Sequence, residues 1–348
     1  MSTQIQAAIL GSTGYTGFEL FRILRHHPQM RPVRLFSREN EGAATQDLAD
    51  VYPHVGGSGP LPIESFSWAK LHQAGVDLLF LATPHEVSRA LAPEALARGL
   101  RVVDLSGAWR LNKAEHRAVY KFEDADAKTA EETMKKVAFG IPELHSKEIG
   151  SAPLVANAGC YATANILAIV PLTKAGFLDL DHGVICDSKS GVSGAGKQPT
   201  AKTHFVEAAD NLSAYAVFEH RHTGEILEQT GLKSSQLVFT PHLLPIPRGI
   251  LSTIYVRLDR KMQAAEVLKV FRDFYAGRPF VRIFPAGKLP QIQYSAMTNY
   301  CDIGFALAED GKRMVIVSCL DNLLKGASGQ AVQNMNVMLG FEEREGLN

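Results

Sequence analysis

The sequence predicts an α/β protein in which a doubly wound parallel sheet domain is followed by an α+β domain with a mainly antiparallel sheet. Short apolar strands alternate with helical segments over about the first 105 residues. After residue 160 the pattern changes to longer alternating runs with fewer helices between them. A chain of 348 residues with 46% hydrophobic residues is also long for a single core. We therefore expect a first domain of residues 1–159, completed by residues 322–348, and a second domain of residues 160–321.

The elements of the first domain follow from apolar runs and from the residues that interrupt them. Pro28 ends one helical pattern, and Gly99 is a natural C-terminal cap for another. Helices are therefore expected at Phe18–His27 and Glu86–Arg98, and the charged stretch Lys113–Glu132 is interpreted as a surface helix or excursion. Strands are expected at Gln4–Leu10, Val33–Phe36, Val76–Leu81, Arg101–Leu105 and Leu154–Ala156.

The second domain opens with a helix, expected at Tyr161–Ala175, and continues with strands that carry side chains of alternating polarity. These strands are expected at Gly183–Asp187, Gln236–Thr240, Leu251–Leu258, Tyr300–Ala308 and Met314–Leu320. The final stretch Asn322–Leu339 has helical spacing again, and we expect it to return to the first domain.

The overall charge and composition exclude several classes of function. Lys+Arg and Asp+Glu number 36 each, so no global field draws the chain to nucleic acid or to a membrane surface. No apolar run approaches about 18 residues, and no basic and apolar leader opens the sequence, so we expect a cytoplasmic protein. The four cysteines form no C-x-x-C pair, which argues against a disulfide framework or a zinc site. An anionic substrate would have to be bound by a few local cations.

A glycine-rich turn joins the first predicted strand to the first predicted helix. It consists of Gly11, Ser12, Thr13, Gly14, Tyr15, Thr16 and Gly17. In that position backbone N–H groups can approach a pyrophosphate at the positive end of the helix dipole, which indicates a Rossmann-type dinucleotide site. The spacing is G-x-x-G-x-x-G rather than the commoner G-x-G-x-x-G, so a turn without a ligand is the alternative.

The end of the second strand favours NADP over NAD. The strand runs into Ser37 and Arg38, a hydroxyl and a guanidinium. An acidic residue at this point accepts from a free ribose hydroxyl, whereas an arginine pairs with a 2′-phosphate. A solvent-facing arginine with no ligand is the alternative.

Cys160 is the candidate nucleophile. A strand precedes it, Gly159 permits a sharp turn, and a helix follows, so the thiol is expected at a helix N-terminus, where the dipole favours the thiolate. A thiolate is well suited to accept an acyl group. A buried structural cysteine is the alternative, and it is the expectation for Cys186, Cys301 and Cys319, which lie within apolar strands.

His220-Arg-His222 supplies candidates for proton transfer. The two imidazoles precede a predicted helix that Thr223 could cap, and a histidine beside a helix N-terminus tends to stay neutral. We favour His220 as the acid/base, with His222 as the open alternative. The spacing also resembles half of a metal site, but no third ligand stands nearby in the sequence, so no metal is expected.

These residues lie in stretches that together resemble the N-acetyl-γ-glutamyl-phosphate reductase family, which serves arginine biosynthesis. The wider superfamily includes aspartate-semialdehyde dehydrogenase. Ala158 departs from the pattern, since many relatives carry proline there. The matching stretches cover nearly the whole chain: Gly11–Gly17, Asp104–Arg110, Phe139–Glu143, Ala158–Thr163, Ser190–Lys197, His220–His222, Thr240–Ser252 and Asp321–Gln333.

The resemblance implies further roles, residue by residue. Arg110 and Lys197 would bind the substrate phosphate, Asn157 would assist at the oxyanion, and His222 would contact the substrate. The nicotinamide end of the cofactor would be held by Ser193, Gly194, Ala195, Gly196, Asn322, Lys325 and Gly326. Thr83 and Pro84 follow a sheet strand at its carboxyl end, where cofactors bind in such folds.

The implied reaction is the NADPH-dependent reduction of N-acetyl-γ-glutamyl phosphate to the 5-semialdehyde through a thioester on Cys160. Sibling enzymes acting on aspartyl phosphate or a carrier-bound aminoadipyl phosphate would share this chemistry. A hydroxyl dehydrogenase would not need the thiol, and a non-enzymatic NADP-binding regulator is the alternative from another class. The implied assembly is a homodimer or homotetramer.

Overall fold

The computed structural model describes residues 4–38, 46–57 and 59–347, and within them the chain divides into two compact units. The first unit contains the chain up to Arg110, residues Phe122–Asn157 and the C-terminal part from Ser328. The second contains Leu111–Lys121 and Ala158–Ala327. None of the helices in these described ranges is both long enough and apolar enough to cross a membrane.

The first unit is built on a sheet to which eight strands of the described chain contribute, in the order β3-β4-β2-β1-β5-β6-β8-β7. Every neighbouring pair is parallel except β3 with β4. All residues of β1 and β5 are buried, as expected for central strands of a parallel sheet that is covered on both faces. The strands are β1 Ala7–Leu10, β2 Arg34–Ser37, β3 Gln46–Asp47, β4 Pro62–Ser65, β5 Leu78–Leu81, β6 Arg101–Asp104, β7 Val137–Gly140 and β8 Leu154–Asn157.

The helices of the first unit connect these strands, and the last of them packs against α7 and α1. That C-terminal helix carries buried amides: Asn334 donates to the side chain of Asn157 (2.8 Å) and to the carbonyl of Gly140 (3.0 Å). The helices are α1 Tyr15–Leu24, α2 Leu48–Val51, α3 Trp68–Gln73, α4 His85–Ala97, α6 Ala127–Met134, α7 Pro142–Ser151 and α13 Gly329–Leu339.

The second unit contains a sheet of seven described strands in the order β10-β11-β9-β12-β15-β14-β13. Four neighbouring pairs are antiparallel, and two, β11 with β9 and β13 with β14, are parallel. The strands are β9 Val184–Gly191, β10 Ser213–Ala214, β11 Leu237–Leu244, β12 Ile250–Arg257, β13 Val281–Ile283, β14 Cys301–Leu307 and β15 Arg313–Leu320.

One long helix, α8, forms the centre of the second unit. Its residues Tyr161–Leu172 are all buried, and it packs against α10, β12, β15 and α11. An apolar surface all round is typical of a helix enclosed by its own domain. The helices of this unit are α5 Ala114–Arg117, α8 Cys160–Ala175, α9 Phe205–Ala208, α10 Thr223–Thr230, α11 Ala264–Phe274 and α12 Ile292–Ser295.

The predicted fold class is confirmed, with a mostly parallel sheet in the first unit and a mainly antiparallel one in the second. The unit limits differ from the predicted domain limits in three places, the smallest being the start of the longer segment of the second unit at Ala158 rather than at residue 160. Leu111–Lys121 belongs to the second unit, because Glu228 of α10 accepts the N–H groups of Asn112 and Lys113 and contacts His116. The C-terminal segment joins the first unit at Ser328, after a single π-helical turn, rather than at Asn322.

Candidate active site

The glycine turn between β1 and α1 leaves no room for a side chain at two of its three glycines. Gly11 has a φ of 94°, and a Cβ there would lie 2.4 Å from the carbonyl oxygen of Ala82. A Cβ on Gly17 would lie 2.1 Å from the carbonyl oxygen of Gly11. Gly14 is the N-cap residue of α1 and makes no side-chain capping bond. No side chain of the N-cap residue therefore binds the first N–H groups of α1, and these groups are available to an anionic ligand.

The residues of this turn fit the phosphates of a dinucleotide. Ser12 is fully buried, and its hydroxyl has no hydrogen-bond partner among the described residues. Buried hydroxyl groups are normally hydrogen-bonded, so a lone one beside a helix N-terminus fits an anionic ligand. Thr13 lies within the turn, Tyr15 and Thr16 begin α1, and the carbonyl of Thr16 accepts from the Ser328 hydroxyl (2.8 Å).

The other predicted cofactor residues of this unit follow the strands on either side of β1. Ser37 ends β2, and the side chain of Arg38 just beyond it is exposed. Thr83 follows β5, where its hydroxyl bonds to that of Ser88 (2.8 Å), and Pro84 is the N-cap residue of α4. Since β1, β2 and β5 are parallel neighbours, these residues share the carboxyl edge of the sheet with the glycine turn.

Cys160 lies at the first position of α8, with Gly159 as the N-cap residue, which confirms the predicted placement of the thiol at a helix N-terminus. Its side chain is partly exposed, whereas the other three cysteines are buried in strands, as predicted. Burial raises the pKa of the Cys186 and Cys319 thiols well above their usual range. Cys160 is therefore the cysteine placed for chemistry with a small molecule.

A cavity of about 330 Å³ opens at Cys160 within the second unit. His220 and His222 line it together with Tyr161 and Tyr215. The turn after β9, Val192–Ala195, contributes Gly194 and Ala195, two of the predicted cofactor residues. The cationic side chains among the described lining residues are Lys202 and Arg221. This cavity combines a thiol, two imidazoles and two positive charges.

His222 packs directly against the residue before the thiol. A Cβ on Gly159 would lie 2.3 Å from Nε2 of His222, so only glycine leaves room for this ring. His222 is the N-cap residue of α10, as expected for a histidine beside a helix N-terminus. The predicted cap by Thr223 is wrong, because Thr223 is the first helical residue and its buried hydroxyl finds no hydrogen-bond partner among the described residues.

His220 is enclosed by aromatic rings. Its centroid lies 4.7 Å from that of His222 and 5.6 Å from those of Tyr161 and Tyr215. The Nδ1 of His220 accepts from the N–H of His222 (3.1 Å), so the neutral ring carries its proton on Nε2. Burial, assisted by the Arg221 charge, lowers the pKa of His220 from 6.5 to about 4. His220 is thus a neutral donor at physiological pH.

Glu225 is a residue of this site that the sequence analysis missed. Its side chain is fully buried, and its Oε2 accepts the N–H of Gly159 (2.8 Å) while its Oε1 lies 3.9 Å from Nε2 of His222. One carboxylate therefore fixes both the turn before the thiol and the ring beside it. The available signal was the spacing of three residues from His222 on α10, which puts both side chains on one helix face.

Asn322 and Gly326 do not line the cavity, but each contacts a residue that does or that lies beside it. Asn322 accepts the N–H of Gly249 (2.7 Å) and donates to the Ser193 hydroxyl (2.9 Å), which fixes the turn after β9. A Cβ on Gly326 would lie 2.7 Å from the Cβ of Cys160, so this glycine lies against the nucleophile. Lys325 is fully buried, with its ammonium 5.9 Å from the centre of the Phe280 ring.

The residues that the resemblance assigned to phosphate and oxyanion are held by other contacts. Arg110 is mostly buried and donates to the carbonyl oxygens of Asn157 (2.8 Å) and Leu105 (2.7 Å). The buried Asn157 side chain accepts from Asn334. Lys197 is exposed beyond Gly196. Arg110 thus binds two backbone carbonyls and the Asn157 side chain binds a neighbouring amide, and the phosphate and oxyanion roles stay predictions.

Comparison with known proteins covers the whole chain. Residues 6–152 match the family model "Semialdehyde dehydrogenase, NAD binding domain", and residues 160–322 match "Semialdehyde dehydrogenase, dimerisation domain". The N-acetyl-gamma-glutamyl-phosphate reductase of Desulfotalea psychrophila is 43% identical over 99% of this chain and 98% of its own. The enzyme of that name from Methanocaldococcus jannaschii is 41% identical over 98% and 97%.

Solved structures show the same fold at low identity. Aspartate semialdehyde dehydrogenase II of Vibrio cholerae superimposes with a TM-score of 0.71 at 17% identity, over 97% of this chain and 99% of that one. The aspartate semialdehyde dehydrogenase of Candida albicans, solved with NADP, gives a TM-score of 0.67 at 14% identity, over 97% and 98%. At such identities the likeness concerns the fold alone.

Proposed function

Because the chain belongs to the N-acetyl-gamma-glutamyl-phosphate reductase family, we propose that it reduces N-acetyl-γ-glutamyl phosphate to N-acetylglutamate 5-semialdehyde and phosphate in arginine biosynthesis. The cofactor is a nicotinamide dinucleotide, which we specify as NADPH. The observation that carries the proposal is the placement of Cys160, a partly exposed thiol at a helix N-terminus that shares a cavity with two imidazoles and two cations. A reductase of this kind would work in the cytoplasm.

The first half of the reaction transfers the acyl group to sulfur. The Cys160 thiolate attacks the γ-carbonyl carbon, the bond to the phosphate oxygen breaks, and phosphate leaves with the electron pair. Glu225 holds the N–H of Gly159, so the turn presents the sulfur in one position, and N–H groups in the first turn of α8 face the developing oxyanion. A thioester on Cys160 and free phosphate result.

The second half reduces the thioester. When bound, the reduced nicotinamide supplies a hydride to the acyl carbon. His220 gives its Nε2 proton to the tetrahedral oxygen and takes it back as the C–S bond breaks, which yields the aldehyde and regenerates the thiolate. Because the pKa of His220 is lowered to about 4, the ring enters this step neutral, and the bond from the His222 N–H to Nδ1 leaves its one proton on Nε2.

The glycine turn and the ends of β2 and β5 would hold the cofactor. Gly11, Gly14 and Gly17 let backbone N–H groups reach the pyrophosphate, and the buried Ser12 hydroxyl would complete its coordination. Arg38 is the residue proposed for the 2′-phosphate, because its exposed guanidinium follows β2 at the edge where that group would lie.

Arg38→Ala is expected to raise the KM for NADPH by roughly ten- to a hundredfold, since hydrogen bonds to a charged group are worth about 1.5–3 kcal/mol. The KM for NADH should change little, because NADH lacks the 2′-phosphate. Steady-state kinetics with both cofactors makes the comparison. An unchanged preference for NADPH over NADH would show that Arg38 does not bind the 2′-phosphate.

The activity itself is tested in the reverse direction. Purified protein with NADP and inorganic phosphate is offered N-acetylglutamate 5-semialdehyde, aspartate semialdehyde and an aminoadipate semialdehyde in turn, and NADPH formation is followed. Phosphate-dependent reduction of NADP should be fastest with the N-acetylglutamate compound. A preference for another semialdehyde would make this a sibling reductase, and turnover without phosphate would exclude an acyl-phosphate reductase.

We further propose that the second unit carries a homodimer interface on the open face of its sheet. Five partly or largely exposed side chains form one row in register across five strands: Val238, Ile185, Tyr255, Val315 and Ala306. An apolar row of this length on a sheet face is typical of a subunit contact. The matching family model is described as a dimerisation domain. Two such dimers could form a tetramer.

Tyr255→Glu is expected to shift the protein from dimer to monomer at micromolar concentration, because a charge would be buried at the centre of this row. Sedimentation or light scattering measures the mass. Tyr294→Glu, an exposed tyrosine in α12 outside the row, is the matched control and should leave the dimer intact. A dimer unaffected by Tyr255→Glu would place the contact on another face.

A further inference from the structure

The cavity at Cys160 offers two cationic side chains to a substrate with two anionic groups. Its substrate, under the proposed function, has two anionic ends: the phosphate on the reacting carbon and an α-carboxylate four bonds away, at about 5 Å. The cavity offers two cationic side chains, Lys202 and Arg221, apart from the N–H groups at the start of α8. The two anions therefore have two candidate cations, and the surroundings of these cations differ.

Arg221 is exposed, but both its backbone and its guanidinium have neighbours in the site. Its neighbours in the chain, His220 and His222, contact each other with ring centres 4.7 Å apart, and His222 fits against Gly159. Its guanidinium carbon lies 5.9 Å from the centre of the Tyr120 ring. The backbone of Arg221 is thus positioned by the packing of the two imidazoles, and its guanidinium lies near an aromatic ring.

Lys202 lies in a different environment. It belongs to an exposed turn that is closed by Thr203, whose hydroxyl accepts the N–H of Thr200 (2.8 Å). Both the turn and the four-carbon side chain of Lys202 are solvent-facing. Both cations are exposed, but a lysine is a compact point charge on a flexible stem, whereas an arginine presents a planar fork that matches a carboxylate.

The two anions also differ in how long they stay. Phosphate enters and leaves within the first half-reaction, while the α-carboxylate stays bound through acylation and reduction. We infer that Arg221 binds the α-carboxylate of the substrate and thereby restricts the enzyme to acyl phosphates that carry a second negative group. This inference rests on the proposed function. The phosphate is then met by Lys202 and by the N–H groups at the start of α8.

The inference predicts a specific pattern of discrimination. A substrate without the carboxylate would leave the Arg221 guanidinium without its anion, and sites that hydrogen-bond a polar group discriminate strongly against analogues that lack it. The matched probe is 4-acetamidobutanal, which is N-acetylglutamate 5-semialdehyde with hydrogen in place of the carboxylate. Wild-type kcat/KM for the carboxylated aldehyde should exceed that for the probe by at least about a hundredfold.

The test is a cycle of two enzymes and two aldehydes, measured as phosphate-dependent NADP reduction. Arg221→Gln should lower kcat/KM for the carboxylated aldehyde by roughly a hundredfold and change that for 4-acetamidobutanal by less than about threefold. The KM for phosphate should stay the same. Arg221→Lys should restore part of the lost activity. Arg272→Gln, an exposed arginine in α11, is the matched control and should behave as wild type.

Three results would overturn the inference. The first is an equal loss with both aldehydes, which would mean that Arg221 acts through His220 or through the fold. The second is a raised KM for phosphate in Arg221→Gln, which would assign Arg221 to the phosphate. The third needs no variant: wild-type enzyme that uses both aldehydes equally well does not recognise the carboxylate. Failure of the proposed function looks different, since wild-type enzyme would then reduce no NADP with N-acetylglutamate 5-semialdehyde.

Discussion

Cys160→Ala is expected to abolish turnover, with a loss of at least about a thousandfold in kcat, while NADPH binding is unchanged. The reason is that no other described group of the cavity can form the acyl–sulfur bond. Cys160→Ser should be similarly inactive, because a hydroxyl at this position is a far weaker nucleophile than a thiolate. Steady-state kinetics gives the loss in turnover, and fluorescence titration with NADPH shows that the cofactor still binds.

Cys186→Ala is the matched control for this prediction. Cys186 is buried in β9 of the same unit, and its removal should leave kcat within a few fold of wild type. Turnover near the wild-type level in Cys160→Ala would rule out the thioester and point to direct hydride transfer. Equal losses in both variants would attribute the effect to stability rather than to the nucleophile.

His220→Asn is expected to lower kcat by about 10²–10⁴-fold, the usual contribution of a positioned general acid/base. The amide keeps a polar group in place but cannot exchange a proton with the tetrahedral oxygen. His222→Asn is expected to cost less in kcat, because His222 lies against Gly159 and within 3.9 Å of the Glu225 carboxylate, where it supports the turn before the thiol. A larger loss of kcat in His222→Asn than in His220→Asn would identify His222 as the acid/base and leave His220 the supporting role.

The lowered pKa of His220 also has a consequence for stability. Its pKa is about 4 in the folded protein and 6.5 when unperturbed, so the unfolded chain binds a proton more readily between these values. The stabilising contribution of the neutral ring is present in full above pH 6.5 and is lost as the pH falls toward 4. Wild type should therefore lose more in Tm than His220→Asn between pH 7.5 and 5. Equal shifts would contradict the burial of a neutral His220.

The position of the nucleophile could be predicted because its causes are local. A buried strand, a glycine and an apolar helix follow one another directly in the sequence around Cys160, and together they fix the thiol at the start of α8. The same holds for the glycine turn between β1 and α1. His220 and His222 were found because they are neighbours in the chain. Each of these signals lies within about ten residues, the range over which sequence patterns are most informative.

Other features of the site depend on contacts that no local pattern encodes. Glu225 has the sequence environment of an ordinary helical glutamate, and its role arises from Gly159, which lies 66 positions earlier in the chain. The bonds from the Arg110 guanidinium to two backbone carbonyls were also not predictable, and its role at the phosphate stays a prediction. The parallel pairing of β9 with β11 likewise joins segments about 50 residues apart, whose register is set by the completed sheet.

The most direct test of the account is to look for the acyl group on sulfur. The protein is mixed with N-acetyl-γ-glutamyl phosphate, generated in place by enzymatic phosphorylation of N-acetylglutamate, without reduced cofactor, then quenched in acid and digested for mass spectrometry. The thioester mechanism predicts one N-acetylglutamyl adduct on the peptide that contains Cys160, and its discharge as the semialdehyde when NADPH is added before quenching. An active enzyme that shows no adduct, or an adduct on any other residue, would contradict it.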